Sequence, residues 1–251
     1  MNDACAHQRI ILALHSMFGY NTDMIWSITS LLSDPLGTLK QLACMLPVIL
    51  LSLTLHEWGH AYAAYKCGDP TAYNLGRMTL NPFAHIDPIG FVSMLLFGFG
   101  WAKPVPVNSR NYRNYKKGEA IVSLAGVFMN LVLVFAFSAL TLFFWYLGTK
   151  MDAEWLYSDV LWTVLTYGIM INVVLMLFNL IPLYPLDGYH VFELIFARRL
   201  PAKVFFFLRR YGQFILIGLL VVMHFVGFSP ASQLTMLILR GLSALARLWF
   251  A

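Results

Sequence analysis

Charge is what this chain has least of. Of its 251 residues only 12% are Asp, Glu, Lys or Arg, about half the soluble share of roughly 25%. That excludes an ordinary water-soluble domain, which needs more charge to stay dissolved at this size. Cysteine is scarce too. Cys5, Cys44 and Cys67 are odd in number and far apart, which excludes a disulfide framework and a CxxC metal site and leaves them as apolar side chains. The formal charge is +5, but the basic residues lie in gaps between apolar runs. A nucleic-acid binder would interleave them with polar residues on one face, so no nucleic-acid partner is expected. The leading residues include Asp3 and His7 with no small-residue cleavage site after them, so the start is read as uncleaved. There is no internal repeat, low-complexity tract or linker, and a single domain over 1–251 is expected.

What is present instead is apolar length. Hydrophobic residues make up 59% of the chain and 20 are Phe. A membrane-spanning helix needs about 20 apolar residues. Ala120–Thr149 and Val160–Leu186 meet this without a charge, as does Tyr211–Leu239, which is divided by Gly-Phe-Ser-Pro at 227–230. Leu42–Tyr65 qualifies if His56, Glu57 and His60 are tolerated. Ile10–Leu32 is a weaker candidate, interrupted by Asn21 and Asp23. Pro88–Ala102 is short and reads as re-entrant or interfacial. Residues 68–86 carry turn formers (Gly68, Pro70, Asn81, Pro82) around short stretches with strand character. The expected fold is an all-α polytopic membrane protein with four to six transmembrane helices. A short irregular or β segment is expected around 68–86, and a re-entrant or interfacial one around 88–102.

The loops differ in sign. Residues 103–117 hold Lys103, Arg110, Arg113, Lys116 and Lys117 with no acid, and 198–210 hold Arg198, Arg199, Lys203, Arg209 and Arg210. Residues 149–159 hold Asp152, Glu154 and Asp159 against Lys150 alone. Positive loops stay on the cytoplasmic side. The segment ending near His60 and the segment entering LIPLYPLDGYH (180–190) then both point to the cytoplasmic leaflet of the cell membrane. Pro182 and Pro185 disrupt a helix there. Irregular backbone at membrane depth survives only when buried in protein or lining a wet cavity, so Asp187 is expected to face inward.

LTLHEWGHAY (53–62) puts ionisable groups at the end of an uncharged run. Such groups inside a membrane are expensive and default to function. His56 and His60 are four apart, on one face of a helix, and supply half of a tetrahedral zinc site. Glu57 sits where it can take a proton from an activated water. A third ligand is needed. Asp187, the only acid between Asp159 and Glu193, is the best candidate. The competing reading of His56 and His60 is a pair of hydrogen-bonded core histidines.

The same residues carry a family resemblance. HEWGH, followed by NLIPLYPLDG (179–188), resembles the site-2 protease family of intramembrane zinc metallopeptidases, which pairs HExxH with Asn-x-x-Pro-x-x-x-Leu-Asp-Gly. GDPTA (68–72), GRMTLNPFAHIDPIG (76–90) and WAKPVPVN (101–108) look like the compact branch that lacks a PDZ domain. The resemblance covers roughly 45 to 225. It implies one Zn2+ per chain on His56, His60 and Asp187, with Glu57 as general base. It also implies peptide-bond hydrolysis in membrane-spanning or membrane-anchored protein substrates within the lipid bilayer. Where the family commonly has Ala-Gly-Pro-x-x-Asn, this chain has Ala125-Gly126-Val127-Phe128-Met129-Asn130. Asn130 is kept and is expected to donate to an oxyanion. Asn179 and His190 are candidate supports for the site, and an unwound substrate strand is expected to pair along 70–85. Two other classes compete: a transmembrane zinc transporter and a catalytically silent membrane scaffold of the same fold.

Overall fold

The structure is a computed structural model, and it describes residues 32–97, 100–151, 154–226 and 230–250. The candidate segment Ile10–Leu32 lies almost wholly outside the described residues. Among those described, four helices are long and apolar enough to cross a membrane. The chain is a multi-pass helical membrane protein.

The first helix, α1 (Pro35–Cys67), has local start and stop signals. Asp34 Oδ1 accepts from Gly37 N at 3.0 Å, and Pro35 occupies the first helical position, where its missing N–H costs nothing. Gly68 ends the helix at φ 111°, a left-handed conformation that suits glycine. At about 1.5 Å per residue, its 33 residues run about 50 Å, longer than a hydrocarbon core of about 30 Å. His60 therefore lies about 10 Å inside its C-terminal end.

After α1 come a single helical turn, α2 (Thr71–Asn74), and a 3-10 turn at Pro82–Ala84. No strand forms among the described residues. The strand character expected in 68–86 is reduced to one antiparallel bridge, Ile86 with Ala102, because Pro70 and Pro82 nucleate helical turns instead. The receiving edge expected along 70–85 is therefore absent. Helix α3 (Pro88–Phe97) has 10 residues, about 15 Å, too short to cross. The chain then doubles back. Gly100 packs on Gly90 so closely that a side chain at either would strike backbone. A helix too short to cross fits the re-entrant or interfacial segment expected around 88–102.

Helix α4 (Tyr115–Lys150) is capped by Asn114, whose side chain accepts from Lys117 N at 3.1 Å. It runs antiparallel to α1: Arg113 N donates to Cys67 O at 2.9 Å, joining the end of one helix to the start of the other. Helix α5 (Asp159–Asn179) returns alongside α4, with Gly168 against Phe137 and Trp162 against Trp145. The expected span Val160–Leu186 ends earlier, at Asn179. Pro182 and Pro185 cannot continue a helical ladder, so 180–186 forms a turn before α6 (Asp187–Phe196). The last described helices are α7 (Ala202–Val226) and α8 (Pro230–Phe250); the expected break at Gly-Phe-Ser-Pro falls on 227–229, which lie outside the described residues.

The core lies between α1, α4 and α5. Met45 and Val48 meet Leu133, Val134, Phe137, Leu165, Ile169 and Val173, with Leu239 and Ala246 of α8 closing one side. On α7, Phe206, Phe207, Phe214, Ile217 and Val222 are exposed. In a membrane that face meets lipid. The basic 103–117 segment and the 180–186 turn lie at the same end as the last turns of α1.

Candidate active site

Helix α1 presents His56 and His60 one turn apart, their ring centroids 4.7 Å from each other and nearly perpendicular. The space they occupy comes from α4. At Gly126 a Cβ would collide with His60 Nε2 and His56 Cε1. Gly59, on the adjoining face of α1, does the same for close approach of the two helices: a Cβ would meet Met129 Cγ at 2.6 Å and Ala125 O at 3.0 Å. Asp187, the first residue of α6, arrives from the far side. Gly188 lets it do so, because α6 packs directly on the carbonyls of Leu180 and Ile181.

The distances define a converging trio. The two Nε2 atoms are 3.1 Å apart. Asp187 Oδ2 lies 3.4 Å from His56 Nε2 and 3.3 Å from His60 Nε2. One donor atom from each residue falls within 4.8 Å of the others.

The outer hydrogen bonds decide where the ring protons sit. His60 Nδ1 lies 2.8 Å from Val122 O. A carbonyl only accepts, so Nδ1 carries the hydrogen and Nε2 is left with a lone pair. His56 Nδ1 lies 2.7 Å from Asn130 Oδ1, and Asn130 Nδ2 donates to Asn172 Oδ1 at 2.9 Å. His56 Nδ1 is thus also the donor and its Nε2 is bare. Asp187 Oδ2 is buried with no hydrogen-bond partner among the described residues. Three electron-rich atoms therefore face one another, and only a shared cation, a proton or a metal ion, relieves them. Imidazoles that donate outward through the other ring nitrogen are the usual arrangement of metal-bound histidine. The donor set fits a divalent cation such as zinc.

Glu57 is buried beside His56. Its Oε2 accepts from Val105 N at 2.8 Å. Val105 lies between Pro104 and Pro106, neither of which has an N–H to offer, so its amide is the one donor in that stretch. The surrounding strap is tied at both ends. Lys103 N donates to His85 O at 2.8 Å, and Arg77 Nη2 donates to Lys103 O at 2.9 Å and Pro104 O at 3.3 Å. Asn108 N donates to Asp69 Oδ2 at 2.6 Å, and Asp69 Oδ1 accepts from Thr71 N at 3.1 Å and Asn111 Nδ2 at 2.7 Å. Burial pushes the Asp69 carboxyl up. The hydrogen bonds from Asn108, Thr71 and Asn111 outweigh that and hold it below the ordinary carboxylate value.

The structure brings His56, His60, Asp187, Glu57 and Asn130 into one region. Asn130 has a different setting from the one expected. Its amide nitrogen, expected to face an oxyanion, donates to Asn172, and its oxygen faces His56. His190 does not reach Asp187. Its Nδ1 pairs with Glu119 Oε1 at 3.2 Å. Asn179 donates to Leu175 O, one turn back on its own helix. His85 donates to Thr79 O across the 79–85 loop. Nothing in the sequence marks Ser52 or Val122, and Asn172 is marked only by standing seven residues before Asn179 on nearly the same helical face, a spacing that assigns it no role. The proline pair around Val105 is a signal, and it becomes readable once Glu57 stands opposite.

A helical membrane protein with HExxH on one helix and an aspartate closing the trio from another has the makings of a membrane metallopeptidase. Residues 44–223 match the model of Peptidase family M50, and the chain belongs to that family, the site-2 protease family that its two motifs resemble. It is 47% identical over 146 residues to YwhC of Bacillus subtilis (strain 168), a protein named as a candidate zinc metalloprotease. That match covers 58% of this chain and 65% of YwhC. Rip2 of Mycolicibacterium smegmatis, named in the same way, is 32% identical over 149 residues, covering 57% of this chain and 54% of Rip2. Rip2 of Mycobacterium tuberculosis is 28% identical over 148 residues. The chain thus spans between about half and just under two thirds of these relatives' length. No solved structure gives a significant match.

Proposed function

We propose that this chain acts, as one domain over 1–251, as an intramembrane zinc metallopeptidase. The observation that carries this is the convergence of His56 Nε2, His60 Nε2 and Asp187 Oδ2, with both imidazoles donating outward through Nδ1. Membership of Peptidase family M50 and the zinc metalloprotease names of its relatives support it. His56, His60 and Asp187 would hold one zinc ion. Bound there, zinc would lower the pKa of water toward neutrality and stabilise negative charge on a scissile carbonyl oxygen.

The remaining roles belong to side chains of this chain. Glu57 takes the proton of the attacking water and returns it to the leaving amine. The Val105 N–H fixes the Glu57 carboxylate through Oε2. Asn130 keeps the His56 ring in place. The site lies on a membrane-spanning helix about 10 Å from its end, so a membrane-spanning or membrane-anchored protein segment is the substrate within its reach. A helical substrate hides its peptide bonds and must unwind first. The basic 103–117 and 198–210 segments assign the active-site end to the cytoplasmic side of the cell membrane.

Transport is the poorer reading. A pathway wants successive ligand sites, and the described residues hold one such group. The test pairs zinc content with cleavage of transmembrane peptides for wild type, Glu57→Gln and Asp187→Ala. The proposal expects Glu57→Gln to keep zinc and lose cleavage, and Asp187→Ala to lose zinc. Zinc flux into liposomes with no peptide cut would replace it with the transporter.

A further inference from the structure

Four buried polar groups on three helices form a chain behind His56. His56 Nδ1 meets Asn130 Oδ1 at 2.7 Å. Asn130 Nδ2 donates to Asn172 Oδ1 at 2.9 Å. Asn172 Nδ2 then donates to Ser52 Oγ at 2.9 Å and to Gly168 O at 2.8 Å. Asn130, Asn172 and Ser52 are all fully buried.

The polarity of this chain has one origin. A primary amide has an accepting end and a donating end, and a serine hydroxyl can turn either way. The Gly168 carbonyl can only accept. It therefore forces Asn172 to place its nitrogen toward α5's own backbone and its oxygen toward Asn130. Asn130 must then offer nitrogen to Asn172 and oxygen to His56, so His56 must carry its proton on Nδ1. With Asn172 removed, Asn130 is free to rotate by half a turn and offer nitrogen to His56. The ring proton would then move to Nε2, the atom facing Asp187.

We infer that Asn172 is a positioning residue that, through Asn130, sets the tautomer of His56 from the backbone of α5 and so keeps Nε2 bare for a metal ion. The inference rests on the metallopeptidase reading for its purpose, but not for its test. Metal-free full-length protein with 15N-labelled histidine is observed by NMR at a pH where the ring is neutral. The His56 signals are assigned by their loss in His56→Gln. Wild type should show the proton on Nδ1, and a proton on Nε2 overturns the inference whether or not Asn172→Leu folds. Asn172→Leu should move the proton toward Nε2 and weaken zinc binding, read by chelator competition, by roughly 10–100-fold. Adding Asn130→Asp should restore both, because a carboxylate accepts from Nδ1 whatever stands behind it. Folded Asn172→Leu with unchanged tautomer and affinity overturns the inference. Failure of the peptidase reading looks different: the tautomer result stands and no peptide is cut.

Discussion

At the residue scale the site depends on which atoms are left without hydrogens. His56 and His60 each give their proton to an oxygen on α4, and Asp187 contributes an unpartnered oxygen. Glu57 takes no part in that trio, so the two functions separate on mutation. Glu57→Gln keeps the shape and one acceptor for Val105 N while removing the base. Its zinc content should stay at one per chain, and cleavage should fall by about 10²–10⁴-fold, the usual worth of general base catalysis. Equal cleavage by Glu57→Gln would remove Glu57 from that role. Gly126→Ala is the complementary case, because it touches no ligand bond. A methyl group there meets both imidazoles. Overpacking of this kind costs about 1–3 kcal/mol, so zinc affinity should drop roughly ten- to hundredfold. Chelator competition measures it, and wild-type affinity would mean the rings have room to move.

At the element scale, the short pieces between the long helices do the positioning. The 101–108 strap is held by Arg77, His85 and Asp69 so that one amide, Val105 N, reaches Glu57. Asp69 follows His60 by nine residues and anchors the strap's far end. Asp69→Ala should lower kcat more than zinc content, since it loosens the strap and leaves the ligands untouched. Loss of zinc equal to loss of activity would count against this separation. Asp69 also makes a pH prediction. Its folded carboxyl is held below the ordinary value near about 3.9. Its ionised form therefore stabilises the fold at neutral pH. That contribution is lost as pH falls below about 4 through the folded value. Unfolding midpoints between neutral and acid pH should fall less steeply for Asp69→Asn than for wild type. Parallel curves would show that Asp69 is not coupled to folding. The turn at 180–186 works in the same way. By ending α5 early, it lets α6 begin at Asp187 with Gly188 packed on backbone.

At the scale of the whole molecule, the trio is a cross-link. His56 and His60 sit on α1 and Asp187 on α6, more than a hundred residues apart in the chain. Metal bound there stabilises the folded state alone. At free zinc a hundredfold above Kd, this linkage amounts to about 2.7 kcal/mol. The thermal midpoint of wild type in detergent should rise on adding zinc and fall with a chelator. Asp187→Ala should respond to neither. An equal response in both would place the stabilising metal elsewhere. The exposed Phe206, Phe207, Phe214, Ile217 and Val222 of α7 make an apolar outer face. It fits a lipid boundary.

Membrane residence, the spanning helices in outline with α4 nearly to its ends, and His56, Glu57, His60 and Asp187 as candidate site residues were legible in the order of amino acids. These signals are local or energetic. Apolar length, prolines, caps and the expense of intramembrane charge each act on a residue and its near neighbours. The tertiary structure alone decided the rest. Whether Asn130 faces an oxyanion or His56 depends on Asn172, 42 residues away. Whether His190 meets Asp187 or Glu119 depends on how α6 lies on α4. Where residues 70–85 lie against the 101–108 strap depends on the partners that Asp69, His85 and Arg77 find in it. A hydrogen bond needs two atoms within about 3 Å and an angle between them, and no spacing along a chain specifies either for residues on different helices.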